Sequence, residues 1–275
     1  MEVNIGKITE FLLQAHGIDV AKYDITFLKK TIQKRLIETH CTSLETYCAY
    51  LERNVTEVYA FFDSLNISYS EFFRNPLTFA VLENIILPSI VLKKNAKQNE
   101  IRIWAVACAA GQEAYSLAFL MEERINEAKD KLNYRIFVTD QKESQVNKAK
   151  EGKYTTSELN NLNLKRVNRW FTYDGDTYKV KQELKKNIDF SVFDLFDERL
   201  GCPSSSIFGD FDLVICANVI FYYKPEYQRI ILKKMSNCLA RGGYLITGEA
   251  ERDMMLRQNF IEVFPQSAIF QRSEC

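Results

Sequence analysis

The chain has 275 residues with 36 basic and 36 acidic side chains, so its charges balance and a surface built for nucleic acid or an anionic membrane is not its default reading. Hydrophobic residues make up 47% and there are only 10 glycines and 5 prolines, which suits a sizeable core and argues against a long disordered region. The length fits one large domain or a large and a small one.

The first 65 or so residues read as helical. Ile5, Ile8, Leu12 and Ala15 recur at helical spacing, and Leu28, Ile32 and Leu36 do so again. Thr42-Ser-Leu-Glu45 predicts a capping box that starts a helix over 44–53. Lys29, Lys30, Lys34 and Arg35 form a basic cluster on the second of these helices, either a solvated face or a docking face. From residue 72 the pattern alternates. Helices are expected at 76–92, 113–127, 143–151 and 225–240, the last ending at Arg241-Gly-Gly243. Strands are expected at 101–106, 134–139, 188–192, 212–216 and 244–247. Such alternation predicts a mostly parallel, doubly wound sheet covered on both faces. Residues 170–192 break the rhythm. Trp170 to Val180 reads as a hairpin turning at Asp174-Gly-Asp176, followed by a helical bridge and another strand, a small antiparallel β insert.

Ile101 to Leu120 is the most informative stretch. A buried strand leads into the small residues Ala107-Cys-Ala-Ala-Gly111 and then into an amphipathic helix, the unit at which doubly wound folds hold nucleotide-like ligands. Asp140 ends the next strand, well placed to accept from ribose hydroxyls. Glu113, at a helix start, is either a ligand anchor or a dipole partner.

The seven cysteines, Cys41 to Cys275, are odd in number and irregularly spaced, so free thiols are expected rather than a disulfide framework or zinc site. His16 and His40 are the only histidines, which excludes a histidine-dependent triad in the α/β part. The sequence starts without a signal-peptide layout, no apolar run is read as long enough to span a membrane, and a cytoplasmic location is expected.

Six motifs in order carry a resemblance to the CheR-type chemotaxis receptor methyltransferases. They are Phe27 to Leu36, similar to the family's basic helix; Ser68-Tyr-Ser-Glu-Phe-Phe-Arg74, similar to its linker; Trp104 to Ser116, its cofactor turn; Thr139-Asp140, its ribose acid; Cys216-Ala-Asn-Val-Ile-Phe-Tyr222, a strand end; and Leu239 to Glu249, a closing strand. Glu151-Gly-Lys-Tyr154 is also similar to the family.

The resemblance implies a class I, Rossmann-like α/β methyltransferase domain at 67–275, with a linker at 67–75 and the β insert at about 170–192. An all-α receptor-docking domain at 1–66 precedes it. It implies transfer of a methyl group from S-adenosylmethionine, leaving S-adenosylhomocysteine, to glutamates on the cytoplasmic helices of chemoreceptors. No metal, nucleic acid or membrane insertion is expected, and a monomer is expected. The implied cofactor residues are Ser68, Ser70, Arg74, Glu113, Asp140, Asp194, Leu195, Ala217 and Asn218. Arg74 and Tyr222 are the implied catalytic residues, and Lys29, Lys30, Lys34 and Arg35 the docking cluster.

The chain departs from the family pattern in several places. The family arginine after Cys216 is Ala217, the first acid of the Glu-Glu pair is Gln112, the usual asparagine is Asp194, and the histidine of Gly-His-Ser-Glu is Glu249. The hairpin turn lacks the longer loop with which some members hold a receptor-tail peptide. These departures leave two alternatives open: a receptor-docking, cofactor-binding module without turnover, and a methyltransferase acting on another carboxylate.

Overall fold

The structure, a computed structural model, describes residues 2–95, 100–128, 132–206 and 208–272. Of the cysteines, Cys275 lies outside the described residues, and the other six are free thiols. The chain divides into two compact units, Met1–Ile67 with Phe221–Arg229, and Ser68–Ile220 with Ile230–Cys275. The sequence boundary was expected at 66/67, and the return of 221–229 to the first unit was not expected at all.

The first unit holds helices α1 (Glu2–His16), α2 (Ile25–Glu38), α3 (Leu44–Arg53) and α4 (Val55–Ser64). Ile8, Leu12, Leu28, Ile32, Tyr47, Leu51, Val58 and Phe61 form its buried interior. Asp24 caps α2, accepting from the backbone of Thr26 at 2.8 Å and Phe27 at 3.1 Å, a device worth about 1 kcal/mol. The capping box of α3 sits one residue later than expected. Ser43, extended at φ −145°, is the cap, and it exchanges hydrogen bonds with Thr46 rather than Thr42 with Glu45. The returning segment 221–229 packs through stacked Tyr23 and Tyr223 rings 5.1 Å apart, and the Asp24 backbone N–H donates to the Tyr222 carbonyl at 2.8 Å.

In the second unit the strands are β1 (Ile101–Val106), β2 (Tyr134–Asp140), β3 (Lys153–Thr155), β4 (Phe171–Asp174), β5 (Thr177–Val180), β6 (Ile188–Val192), β7 (Phe211–Ile215), β8 (Leu239–Ile246), β9 (Phe260–Glu262) and β10 (Ile269–Arg272). The accompanying helices are α5 (Pro76–Val81), α6 (Leu87–Asn95), α7 (Gln112–Ala128), α8 (Glu143–Glu151), α9 (Leu164–Trp170), α10 (Gln182–Lys185), α11 (Pro225–Cys238, of which the part from Ile230 on belongs to this unit) and α12 (Arg252–Leu256). The seven-stranded sheet has the order β6-β2-β1-β7-β8-β10-β9, parallel from β6 through β8, with β10 antiparallel to β8 and β9. Buried side chains on both faces explain the near-continuous apolar strands. Ile101, Ile103 and Ala105 face a core shared with α6 and α7, while Trp104 points the other way onto Phe193 and Phe211.

Four expectations need correction. The small sheet, β3-β5-β4, is built from 153–180 rather than 170–192. The strand at 188–192 pairs in parallel with β2 and belongs to the large sheet, because its hydrogen bonds run to Ile136–Asp140. Arg241-Gly-Gly243 does not stop a helix. It lies inside β8, where a Cβ on Gly243 would sit 2.9 Å from the Phe211 carbonyl, so the glycine permits close approach to β7. Strands β9 and β10 were not anticipated. Finally, Pro76–Lys94 is long and apolar enough by composition to cross a membrane. It is partly buried, and Phe79, Leu82, Ile86 and Ile90 pack into the core of this unit. A π turn at Leu82–Ile86 interrupts this helix just before Pro88, whose ring would otherwise press on the preceding turn.

Candidate functional site

The carboxyl ends of β1, β2, β6 and β7 carry the site. After β1 the chain turns through Ala107 at φ 52°, Ala109 at φ 47° and Gly111 at φ 90°. Two alanines in the left-handed region are strained, and neighbours hold each part of the turn. The Cys108 N–H donates to the Thr139 carbonyl at 2.9 Å, and the Ala109 N–H to Asp140 Oδ2 at 3.0 Å. The Tyr154 hydroxyl of β3 donates to the Ala110 carbonyl at 2.7 Å. A Cβ on Gly111 would meet Ala149 Cβ at 2.8 Å, so only glycine fits there. The other Asp140 oxygen accepts from the Lys142 N–H at 2.9 Å. Burial nevertheless pushes the Asp140 carboxyl up, and two backbone bonds leave lone pairs free for further donors.

Glu113 opens α7, where the helix dipole favours an anion. Burial pushes its carboxyl up to about 7; the Arg74 charge pulls it down and the Glu251 charge pushes it further up. Arg74 ends a linker that is clamped on both sides. Phe72 is fully buried between Phe119, Tyr154 and Phe171, and the Phe73 N–H donates to Ser116 Oγ at 3.0 Å. Phe73 at φ 50° and Asn75 at φ 61° flank Arg74 in left-handed conformations. Its guanidinium lies over the Tyr69 ring at 5.3 Å, and among the described residues it makes no ion pair. Ser68 and Ser70 line a cavity of about 420 Å³ with Ala110, Gln112, Lys148 and Glu158.

The end of β7 turns through Asn218 at φ 61°, whose Oδ1 is buried without a hydrogen-bond partner. Ala217 packs against the core, leaving no cation at that position. At the end of β6, Asp194 caps its own turn, accepting from the Phe196 N–H at 2.9 Å, and Leu195 beside it is buried. Glu251, missed in the sequence, is 1% exposed and gathers the N–H groups of Asn218, Val219, Ile220 and Gly248 at 2.7–3.0 Å.

The sequence matches CheR methyltransferase, SAM binding domain, over residues 68–269, and CheR methyltransferase, all-alpha domain, over residues 4–65. The chain belongs to the CheR methyltransferase family. Curated relatives include the chemotaxis protein methyltransferase of Listeria innocua, 28% identical over 86% of this chain and 85% of that one. The protein of the same name from Borreliella burgdorferi is 30% identical, over 90% of this chain and 87% of that one, and that from Escherichia coli is 26% identical, over 94% and 87%. The doubly wound sheet is thus the class I methyltransferase fold, and the chain is an S-adenosylmethionine-dependent methyltransferase.

The residues at the CheR cofactor turn fit that cofactor. The Asn218 oxygen wants a donor, Asp140 retains acceptor capacity, and the Glu113 carboxyl is held up by burial, against the pull of Arg74. No group of three potential metal ligands exists among the described residues.

Two implied residues are placed differently from the expectation. Arg35 is not offered for docking: it is mostly buried, its Nε donates to Glu57 Oε1 at 2.8 Å, and it also pairs with Glu38. Glu57 also accepts from the Tyr47 hydroxyl at 2.7 Å, so Arg35 ties α2, α3 and α4 together. Tyr222 belongs to the helical unit, its ring 4.7 Å from Phe27. Lys30 and Lys34 are exposed, with Lys34 3.8 Å from Glu38, and Lys29 is half-buried.

Proposed function

We propose that this methyltransferase esterifies glutamate side chains on the cytoplasmic helices of chemoreceptors, acting as a cytoplasmic monomer. The observation that carries this reading is Arg74, a half-buried guanidinium without an ion-pair partner among the described residues, electrostatically coupled to Glu113 in a site that contains no histidine. Its relatives' name, chemotaxis protein methyltransferase, supports the same class of target.

When bound, the cofactor supplies an electrophilic methyl group on a sulfonium. A target glutamate is already ionised at neutral pH, so the chain needs no general base. Its residues position and exclude water, effects that supply up to roughly 7–11 kcal/mol of barrier lowering in favourable cases. Asp140 would accept from ribose hydroxyls, Asn218 Oδ1 would accept a donor from the cofactor, and Asp194 and Leu195 would border its base. Glu113 balances the amino group of the methionine part. Ser68 and Ser70 position the linker that carries Arg74, which holds a carboxylate bidentately. Lys30 and Lys34 offer positive charge to acidic receptor helices. The β4–β5 turn has only Gly175 and Asp176 at its tip, which favours recognition without a receptor-tail peptide.

The decisive test is incubation with methyl-labelled cofactor and receptor cytoplasmic fragments, alongside a glutamate-to-alanine series of the fragments. Base-labile label that disappears with particular glutamates supports the reading; label that ignores the series sinks it. Ala217 favours a second reading, a docking module without turnover, and in that case the chain binds cofactor and fragments but transfers no label. Ala217→Arg separates the two further, since it is expected to lower the Michaelis constant for the fragment in an active enzyme.

A further inference from the structure

Glu251 follows β8 by five residues and is nearly inaccessible. Its Oε1 accepts from Val219 at 2.9 Å and Ile220 at 2.7 Å, and its Oε2 from Asn218 at 3.0 Å and Gly248 at 2.7 Å. Four backbone donors on one carboxylate hold the turn after β7 to the end of β8, the adjacent parallel strand. The fit is tight, because a Cβ on Gly248 would lie 2.4 Å from Asn218 Nδ2. Asn218 is thereby held left-handed with its Oδ1 buried and unpaired.

The same carboxylate is felt across the site. Four groups interact electrostatically with Glu113: Arg74 from the linker, Glu251 from beyond β8, Cys108 from the turn and Cys216 just past β7. Both thiols are buried and pushed up, so they stay neutral, and Arg74 is the one cation of the four. Charges close together in a low-dielectric site favour the ligand whose charge offsets them.

We propose that Glu251 is a positioning residue with two effects on one site: it sets the β7 turn that presents Asn218, and its negative charge biases the pocket toward the positively charged sulfonium donor over the neutral thioether product. S-adenosylmethionine and S-adenosylhomocysteine differ by one methyl group and one positive charge. A residue that only shapes the turn acts on both alike. A residue that also supplies charge discriminates between them. This inference rests on the cofactor, not on the identity of the methyl acceptor.

The test is calorimetric binding of each ligand to the full-length chain, without receptor, in the wild type, Glu251→Gln and Glu251→Asp. For Glu251→Gln the expected result is about tenfold or more loss of affinity for S-adenosylmethionine and a clearly smaller loss for S-adenosylhomocysteine. The midpoint of the pH dependence of S-adenosylmethionine binding is expected to fall, because Glu113 loses a negative neighbour. Equal losses for the two ligands, or an unmoved midpoint, overturn the charge effect; no loss for either overturns the proposal entirely. If circular dichroism shows that the glutamine variant does not fold, Glu251→Asp decides. It keeps the charge while shortening its reach, so both ligands are expected to weaken by a similar factor, and a changed ratio overturns the proposal.

Discussion

Glu57 of the helical unit and the site carboxylates of the α/β unit are handled differently, whereas Asp212 of the α/β unit is paired as Glu57 is, with Lys94 at 2.9 Å. In the helical unit, Glu57 is 5% exposed and meets side chains, the Arg35 guanidinium, which it pushes up, and the Tyr47 hydroxyl, which burial first and Glu57 second push up. In the α/β unit, Asp140 and Glu251 meet backbone N–H groups. The first arrangement neutralises the charge and is spent on cohesion between helices. The second satisfies the hydrogen-bonding needs of the carboxylates with neutral donors. A carboxylate met by neutral donors can still attract a cationic ligand, which is what separates a site from a strut.

That contrast can be broken by substitution. The largest expected effect is on cohesion: Glu57→Ala leaves Arg35 with only the more exposed Glu38 and costs about 3 kcal/mol of stability in denaturant titration, with cofactor affinity in the folded protein unchanged. A parallel loss of affinity would dissolve the distinction between the units. Next, Asp140→Ala removes the acceptor of the Ala109 N–H and is expected to weaken S-adenosylmethionine binding about 100-fold by calorimetry, at a stability cost near 1 kcal/mol. A variant that binds normally would make Asp140 a strut as well.

The pH dependence of Glu113 sharpens the comparison. Its folded pKa, about 7, lies above the ordinary 4.5. Below 7 it is increasingly protonated and cannot balance a cation, so cofactor affinity is expected to fall by up to about tenfold per pH unit, with proton release on binding near neutrality. The free protein behaves oppositely. A raised carboxyl pKa means that the folded state holds its proton more tightly, so the contribution of Glu113 to stability increases as pH falls from about 7 to 4.5. Affinity that stays flat from pH 8 to 5.5 would remove Glu113 from the site. The smallest effect on stability is expected for Lys30→Glu combined with Lys34→Glu, within about 0.5 kcal/mol by thermal melting, since both are exposed. The same pair is expected to raise the Michaelis constant for a receptor fragment.

Local patterns were legible in the sequence. The turn after β1 announces itself through its small residues, and α7 and β2 through their periodicity, so Glu113 and Asp140 fall at element ends as anticipated. Long-range pairing was not legible. Glu251 reads as one more acid in Glu-Ala-Glu-Arg-Asp until the fold brings three N–H groups from beyond β7 onto it, 31 to 33 residues away. Arg35 reads as part of a basic face until α4 supplies Glu57. Gly243 imitates a helix stop because its reason for being glycine, the Phe211 carbonyl, is more than thirty residues upstream. Strands β9 and β10 have only three and four residues, too short for alternation to register, and depend on Glu262 accepting from Arg252 and the Ala268 N–H.

The small sheet is more than an appendage that could be trimmed or transplanted. The Tyr154 hydroxyl reaches from its edge strand to the Ala110 carbonyl, and Gly152, just before that strand, leaves only enough room for the Tyr115 hydroxyl to reach the Ala149 carbonyl. The small sheet is thus pinned to the turn after β1, and removing it would take away the donor on the Ala110 carbonyl, beside the strained Ala109.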